Sequence, residues 1–369
     1  MKLSINKSFQ KISDHFFILS GLAYGLPFIY YLLLTLRDGD IHFLEWKKTQ
    51  YLVNYFDYGF IKRGLVGNLF ILLPTDHIKY YIVLFHTILF IGFVWLIARL
   101  TDKNSDNHTL QSHNAIRAIL VLSPFGALQF GYDVGRYDLL NLILLVISIQ
   151  VIQRQQFLLA SVLSVLALLT HEAYLFYGVP LTFALMLQTS HLFKYDHSRF
   201  LTLSFNMACH VIFVASTALV LYVFGGRKLA LGPDVGLGQQ VWNRDLLEPS
   251  FGANAAETTT LIAILALIYL WLLAFYRANN GKPDALLLTM LAPTALFFLG
   301  WDYARWTGLI FTVGLLIVYY KLTVNKWQFN HWALRYGGLL FLLPLGPIGV
   351  ERFFPFMIQI FPLFKRLHT

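Results

Sequence analysis

Apolar stretches of near-membrane length alternate with short polar segments along the chain, from Phe16 to Phe364. About 20 consecutive apolar residues are enough for an α-helix to cross a bilayer. The alternation therefore predicts an all-α, polytopic integral membrane protein with about ten to twelve transmembrane helices. We place these helices at 16–36, 79–100, 115–131, 138–152, 157–170, 174–188, 201–224, 258–276, 285–300, 307–320 and 338–350, with a twelfth at 353–364 if the last segment crosses.

The polar segments are mostly short, so we expect one transmembrane domain over residues 1–369. The two longest connections, 37–78 and 225–257, are predicted to lie outside the cytoplasm. Segment 37–78 interleaves aromatic and aliphatic residues with charged ones, which is typical of helices that lie in the membrane interface. It is therefore predicted to be an amphipathic juxtamembrane segment that follows the first helix.

Composition supports a membrane protein and argues against several soluble classes. Hydrophobic residues make up 57% of the chain and charged residues 13%, whereas charged residues are about 25% of a soluble domain. The 28 basic residues outnumber the 19 acidic ones, but they are dispersed in small groups and form no nucleic-acid-binding patch. With one cysteine, Cys209, the chain has no disulfide framework and no thiolate metal cluster.

The basic residues of the short loops predict the orientation, because cytoplasmic loops carry an excess of Lys and Arg. With the N-terminus in the cytoplasm, the basic residues of the loops at 99–117, 194–199, 277–282 and 321–335 also fall inside. The first apolar segment lacks a small-residue cleavage site, so we expect it to be retained as a helix. The outer face then receives nearly all acid–base pairs set in apolar surroundings, and such charges persist mainly where they pair, line water or act in function.

The first outer loop contains the sequence YFDYGFIKRG, which places Asp57 near the basic pair Lys62 and Arg63. A carboxylate beside two cations could act next to a bound phosphate. We therefore count Asp57 as a candidate catalytic residue and Lys62 and Arg63 as candidate phosphate-binding residues. The alternative is a segment that only anchors the chain to the membrane surface.

The turn GYDVGRYD links two predicted helices and contains Asp133, Arg136 and Asp138. An arginine can hold a phosphate or carboxylate through two points, and flanking acids can orient its guanidinium. Asp133 is a candidate catalytic carboxylate, and Arg136 and Asp138 are candidate substrate-binding residues. The alternative is that the acid–base pair only joins two helix ends.

Two further groups fall on the same predicted face. His171 and Glu172 follow an apolar run directly, and a His beside a Glu can serve as a general base; the alternative is a buried hydrogen-bonded pair. In FLGWDYARWTGL, Asp302 and Arg305 share a helix face between Trp301 and Trp306. The indoles would suit sugar rings, and the alternative is an interfacial aromatic belt with a local salt bridge.

This layout resembles the membrane glycosyltransferases of the GT-C superfamily, including bacterial O-antigen and capsule polymerases. In one branch of that superfamily the loop after helix one carries an essential carboxylate, and the matching candidate here is Asp57 in YFDYGFIKRG. In the polymerases, arginines of outer loops bind the lipid diphosphate, a role that the resemblance assigns here to Arg63, Arg136 or Arg305.

The expected function is therefore transfer of a sugar outside the cytoplasm from a polyprenyl phosphate or diphosphate carrier to a glycan acceptor. The expected location is the bacterial inner membrane. No nucleotide-binding signature is visible, and neither a cofactor nor a metal ion is expected. Two alternatives stay open: a transporter or flippase of lipid-linked glycans, and a non-catalytic assembly protein.

Overall fold

The computed structural model describes residues 47–58, 60–61, 63–99, 125–191, 197–224, 255–298 and 303–328. It also describes residues 37, 41, 44, 113, 115–117, 119–121, 123, 338 and 341. Their regular structure is helical, as the apolar pattern predicts. The helices predicted at 16–36 and 353–364, and all but two residues of the one at 338–350, lie outside this part of the chain, as does most of the loop 225–257.

Within the described residues the α-helices are, in chain order, α1 Lys48–Leu52, α2 Tyr55–Tyr58, α3 Gly64–Phe70, α4 Ile78–Arg99, α5 Ala127–Tyr132, α6 Asp138–Gln153, α7 Phe157–Thr170, α8 Tyr174–His191, α9 His197–Phe224, α10 Ala255–Ala278, α11 Ala285–Thr289 and α12 Tyr303–Val324. Two short 3-10 helices, Thr75–His77 and Ala292–Phe298, precede α4 and α12.

Seven of the predicted helices are confirmed to within a few residues, namely α4, α6, α7, α8, α9, α10 and α12. Two predicted helices are wrong in part. The one at 115–131 is interrupted: Ser123, Phe125 and Gly126 are not helical, and the sequence here contains Pro124, which disfavours a helix interior. The one at 285–300 divides into α11 and a 3-10 helix containing Pro293, which has no backbone N–H to donate.

Among the residues that the structure describes, three helical stretches are long and apolar enough to cross a membrane: Thr75–Ile97, His197–Val223 and Arg305–Val324. Shorter apolar stretches of 10–17 residues lie at Asp138–Gln153, Phe157–Thr170, Ile262–Ala278 and Ala285–Phe297. The long stretches differ in their surroundings. Every side chain from Arg305 to Leu322 is buried, so α12 is a central helix, whereas α4 and α9 expose broad apolar faces.

Helices α6, α7 and α8 are joined by short turns and alternate in direction. As a result, the start of α6, the end of α7 and the start of α8 meet at one end of the bundle, together with the start of α12: Asn141 Nδ2 donates to His171 O at 3.2 Å, and Arg305 pairs with Asp138. We call this the charged end. The ends of α8, α10 and α12 meet at the opposite end, which we call the far end.

The far end is held by a polar network centred on Asp284. Its carboxylate accepts hydrogen bonds from Gln188 Nε2 at 2.7 Å, from the Tyr276 hydroxyl at 2.9 Å and from Leu287 N at 3.1 Å, and it forms an ion pair with Lys321. Lys321 also lies 5.0 Å from the centre of the Trp327 ring. The network ties four segments together, so the polar residues of this end contribute to the packing of the helices.

Candidate functional site

The turn between α5 and α6 depends on a glycine. Gly135 has φ +90, and a Cβ there would lie 2.9 Å from Leu44 and 3.1 Å from Lys47. A side chain would therefore be both strained and crowded. The resulting close approach places Lys47 Nζ 2.6 Å from Asp133 Oδ1, and the same nitrogen donates to Val134 O at 2.7 Å.

Asp133 is buried between two cations. Besides Lys47, it faces Arg136, whose Nε lies 3.6 Å from Asp133 Oδ2. Burial alone would raise the pKa of Asp133, but the positive charges of Lys47, Arg136 and Arg305 hold it below its ordinary value. Asp133 is therefore ionised, and it acts as the counter-ion that keeps these cations together at the charged end.

Asp138 and Arg305 form a second buried pair. Arg305 Nη1 lies 3.3 Å from Asp138 Oδ2, and both side chains are almost completely buried. Asp138 is the first residue of α6, and Arg305 is in the first turn of α12. The pair therefore joins the starts of two helices that are distant in the sequence.

His171 follows α7 in an extended conformation and is buried, with 3% of its surface exposed. Its Nδ1 accepts a hydrogen bond from Ala173 N at 3.1 Å, so in the neutral ring the proton is on Nε2. Among the described residues Nε2 has no hydrogen-bond partner. In this arrangement His171 would donate a hydrogen bond to a ligand through Nε2 rather than accept a proton there.

The positive charges of three arginines act on His171. Burial lowers its pKa well below the ordinary value, and the charges of Arg63, Arg305 and Arg136 lower it further, against the opposing effect of Glu172. His171 is therefore neutral at physiological pH. These arginines come from separate segments of the sequence, and the charge of each acts on one buried imidazole.

Glu172 forms a two-point ion pair with Arg63. Arg63 Nη2 donates to Glu172 Oε1 at 3.0 Å, and Nε donates to Oε2 at 3.3 Å. The pair is only partly buried, with 17% of the Arg63 side chain and 30% of the Glu172 side chain exposed. It links segment 37–78 to the α7–α8 turn at the surface of the charged end.

Asp57 lies in α2 and is exposed. Its Oδ2 accepts a hydrogen bond from Asn54 Nδ2 at 2.7 Å. The nearby glycines do not make room for a ligand: a Cβ on Gly67 would lie 1.7 Å from Val53 O, and one on Gly64 would lie 2.4 Å from the Tyr55 ring. Both allow α3 to pack against the chain just before it.

Trp306 is buried and packs edge to face against Phe297, with the ring centres 5.6 Å apart. It lies within the apolar core, so its ring supports α12 instead of presenting a face to a sugar at the surface. The other candidates from the sequence, Lys62, Trp301 and Asp302, lie outside the described residues.

Sequence reasoning missed Lys47, the closest partner of Asp133. One signal was available in the sequence. Lys47 and Lys48 lie in a loop predicted to be outside the cytoplasm, where basic residues are unfavoured. Basic residues at such a position indicate a specific role. In the part of the chain that the structure describes, no group of three or more His, Cys, Asp or Glu side chains could hold a metal ion.

Comparison with known proteins identifies no relative. No family model matches the chain, and neither a curated protein nor a solved structure matches it. The resemblance to the GT-C superfamily therefore stays a prediction from the layout of the sequence.

Proposed function

We propose that the chain is a polytopic membrane protein that transfers a sugar from a polyprenyl phosphate or diphosphate carrier to a glycan acceptor. The membrane part of the proposal rests on the exposed apolar faces. Helix α4 presents a continuous stripe of large apolar side chains: Tyr80, Leu84, Ile88, Ile91 and Trp95. Surfaces of this kind are uncommon on soluble monomers and suit contact with lipid.

One observation carries the functional part: at one end of the bundle Arg63, Arg136 and Arg305 act electrostatically on neutral His171, and Lys47 and Arg136 pair with the neighbouring Asp133. Guanidinium groups bind phosphate through two parallel hydrogen bonds. A phosphate or diphosphate leaving group develops negative charge as its bond to the sugar breaks, and fixed cations in a water-poor site stabilise that charge. The cluster has the chemistry that this reaction requires.

The proposed reaction is a displacement at the anomeric carbon of the donor sugar. The acceptor hydroxyl oxygen attacks C1, the bond from C1 to the phosphate oxygen breaks, and the polyprenyl phosphate or diphosphate leaves with the electron pair. The hydroxyl proton passes to a carboxylate. Glu172 is a partly exposed carboxylate of the cluster and Asp57 an exposed carboxylate of segment 37–78, while His171 Nε2–H donates to a ligand oxygen.

The proposed location is the bacterial inner membrane, with the charged end facing outside. A transporter would place its ionisable groups near the bilayer midplane, whereas Asp138, His171 and Arg305 lie where their helices begin or end. This position favours a reaction at the membrane surface over a path through it.

The test uses purified full-length protein in liposomes with a polyprenyl diphosphate-linked glycan and an unlabelled acceptor glycan. Mass spectrometry should detect the acceptor extended by sugar and the free polyprenyl diphosphate in equal amounts. A ladder of products indicates a polymerase, and one added sugar indicates a single-sugar transferase. Movement of the intact donor between leaflets without a new glycosidic bond would replace the proposal with the flippase alternative.

A further inference from the structure

The pair formed by Arg63 and Glu172 differs from the other ion pairs of the charged end. Asp133 and Asp138 are almost completely buried, whereas 30% of the Glu172 side chain is exposed. A partly exposed pair separates at lower cost than a buried one, because water solvates part of each separated charge. Among the ion pairs described at the charged end, this pair is therefore the one that an incoming ligand can open with the least disruption of the core.

The geometry of the pair is that of a phosphate contact. Arg63 uses Nε and Nη2 together, at 3.3 and 3.0 Å from the two carboxylate oxygens. The same two donors fit two oxygens of a phosphate group, since carboxylate and phosphate present similarly spaced oxygens to a guanidinium. Glu172 thus occupies the donors through which Arg63 would hold a phosphate.

The backbone of Arg63 supports a functional role for this geometry. Arg63 has φ 65 and ψ 4, a left-handed conformation that is unfavourable for a residue with a side chain. Such strain persists where the surroundings enforce it, and it collects at ligand-binding positions. A glycine would relieve the strain, but it would remove the guanidinium that reaches Glu172.

The surroundings favour an anion at this place. His171, the neighbour of Glu172, is nine-tenths or more buried, and its Nε2–H has no acceptor among the described residues. Arg63, Arg136 and Arg305 all act on its ring. A ligand oxygen that replaces Glu172 beside Arg63 would therefore enter a region of further positive charge; the His171 nitrogen near Glu172 is Nδ1, 3.6 Å from Oε2.

We propose that Glu172 is a displaceable internal competitor: it holds Arg63 through the two-point contact that a phosphate group of the ligand takes over on binding. The exchange rests on the proposed function, because it needs a ligand that carries phosphate. Displacement releases the Glu172 carboxylate from Arg63 only when phosphate arrives, so binding of the donor and readiness of the carboxylate to accept a proton are coupled.

The test measures binding of inorganic diphosphate to the full-length protein in detergent by calorimetry, at low and at physiological salt. Glu172→Gln removes the competing charge and should tighten binding about threefold or more, as expected for release of a partly exposed ion pair. Asp76→Asn is the matched control, since it removes one exposed carboxylate from the segment before α4, and should bind diphosphate as the native protein does.

Arg63→Gly supplies the second arm, because glycine suits the left-handed backbone and the variant should fold. It should bind diphosphate more weakly than the native protein, and the double variant with Glu172→Gln should show no gain over Arg63→Gly alone. Unchanged or weaker binding in Glu172→Gln, a gain that persists without Arg63, or no diphosphate binding in any variant would overturn the proposal.

The result is separable from the reaction itself. If Glu172→Gln gains affinity through Arg63 but the native protein forms no glycosidic bond, the competitor stands and the transferase proposal falls. If transfer is observed and Glu172→Gln does not tighten diphosphate binding, only the competitor falls.

Discussion

Asp133 shows how burial decides the role of a carboxylate. Its two oxygens face Lys47 Nζ at 2.6 Å and Arg136 Nε at 3.6 Å. A buried ion pair stabilises little by itself, but removal of one partner leaves an uncompensated charge in a medium that solvates it poorly. Asp133 is therefore best understood as a structural counter-ion, although the sequence places it among the candidate catalytic carboxylates.

Asp133→Asn should lower the stability of the protein by about 3–5 kcal/mol, because Lys47 and Arg136 lose their shared anion. The measurement is the melting temperature in detergent together with the amount of protein in the membrane. Asp57→Asn is the control, since Asp57 is exposed and should keep native stability. Native stability in Asp133→Asn would contradict the counter-ion role.

His171 makes stability depend on pH. Burial and the neighbouring arginines lower its pKa well below the ordinary value of 6.5, so below that pH the unfolded chain binds a proton that the folded protein does not. Stability is then complete above pH 6.5 and falls as the pH decreases.

The melting temperature of the native protein should therefore fall between pH 7 and pH 5. Below pH 6.5, His171 should lower the free energy of unfolding by up to about 1.4 kcal/mol per pH unit. His171→Gln cannot take up the proton and should lose less over the same range. If the melting temperatures of the native protein and His171→Gln fell in parallel with pH, His171 would bind a proton equally in the folded and the unfolded state, which would contradict this prediction.

At the scale of elements, the apolar pattern predicts helices well where a run is uninterrupted. Helix α7 matches its predicted span, 157–170, at both ends. The breaks at 123–126 and at Pro293 were not predicted, because the apolar pattern continues through them, although each contains a proline that disfavours a helix interior. The apolar pattern predicts which residues avoid water, but it does not predict where two backbone segments come into close contact.

Helix α3 depends on such a contact. Gly67 lies so close to the preceding chain that an added Cβ would be 1.7 Å from Val53 O, a backbone atom that cannot rotate away. The short helices of segment 37–78 therefore pack as one unit, and this unit places Arg63 beside Glu172.

Gly67→Ala should destabilise the protein by about 1–3 kcal/mol, as overpacking usually does. It should also weaken diphosphate binding, since displacement of α3 moves Arg63. Gly92→Ala in α4 is the matched control, because nothing lies within 4 Å of the added Cβ, and it should leave the melting temperature at or above the native value. Equal melting temperatures for the two variants would contradict the close packing.

At the scale of the whole molecule, the sequence predicts where charges gather but not how they pair. Arg63 and Glu172 are separated by 109 residues, and Lys47 and Asp133 by 86. No local periodicity connects such residues, so their pairing follows only from the packing of the helices. The tautomer of His171 likewise depends on the turn that brings Ala173 N to Nδ1.

The orientation of the whole bundle is testable with reporter fusions. Because the basic loops are predicted to face the cytoplasm, fusions after Asp106 and after Gly281 should report cytoplasm, and one within 225–257 should report outside. Gly281 lies near the far end, where it meets the Trp327 ring. If the reporter within 225–257 is cytoplasmic, the predicted orientation is wrong and the charged end faces the cytoplasm.

The central claim is that sugar transfer takes place at the charged end, and two Arg→Lys variants on the same bundle test it most directly. Arg305→Lys keeps the charge beside Asp138 but loses the planar fork, whereas Arg154→Lys makes the same change at an exposed position beyond the other end of α6. The measurement is the rate of acceptor extension from a polyprenyl diphosphate donor, at matched protein levels. Arg305→Lys should lose about a hundredfold or more of the rate, and Arg154→Lys should keep the native rate. Native transfer in Arg305→Lys, or equal losses in both variants, would contradict an active site at the charged end.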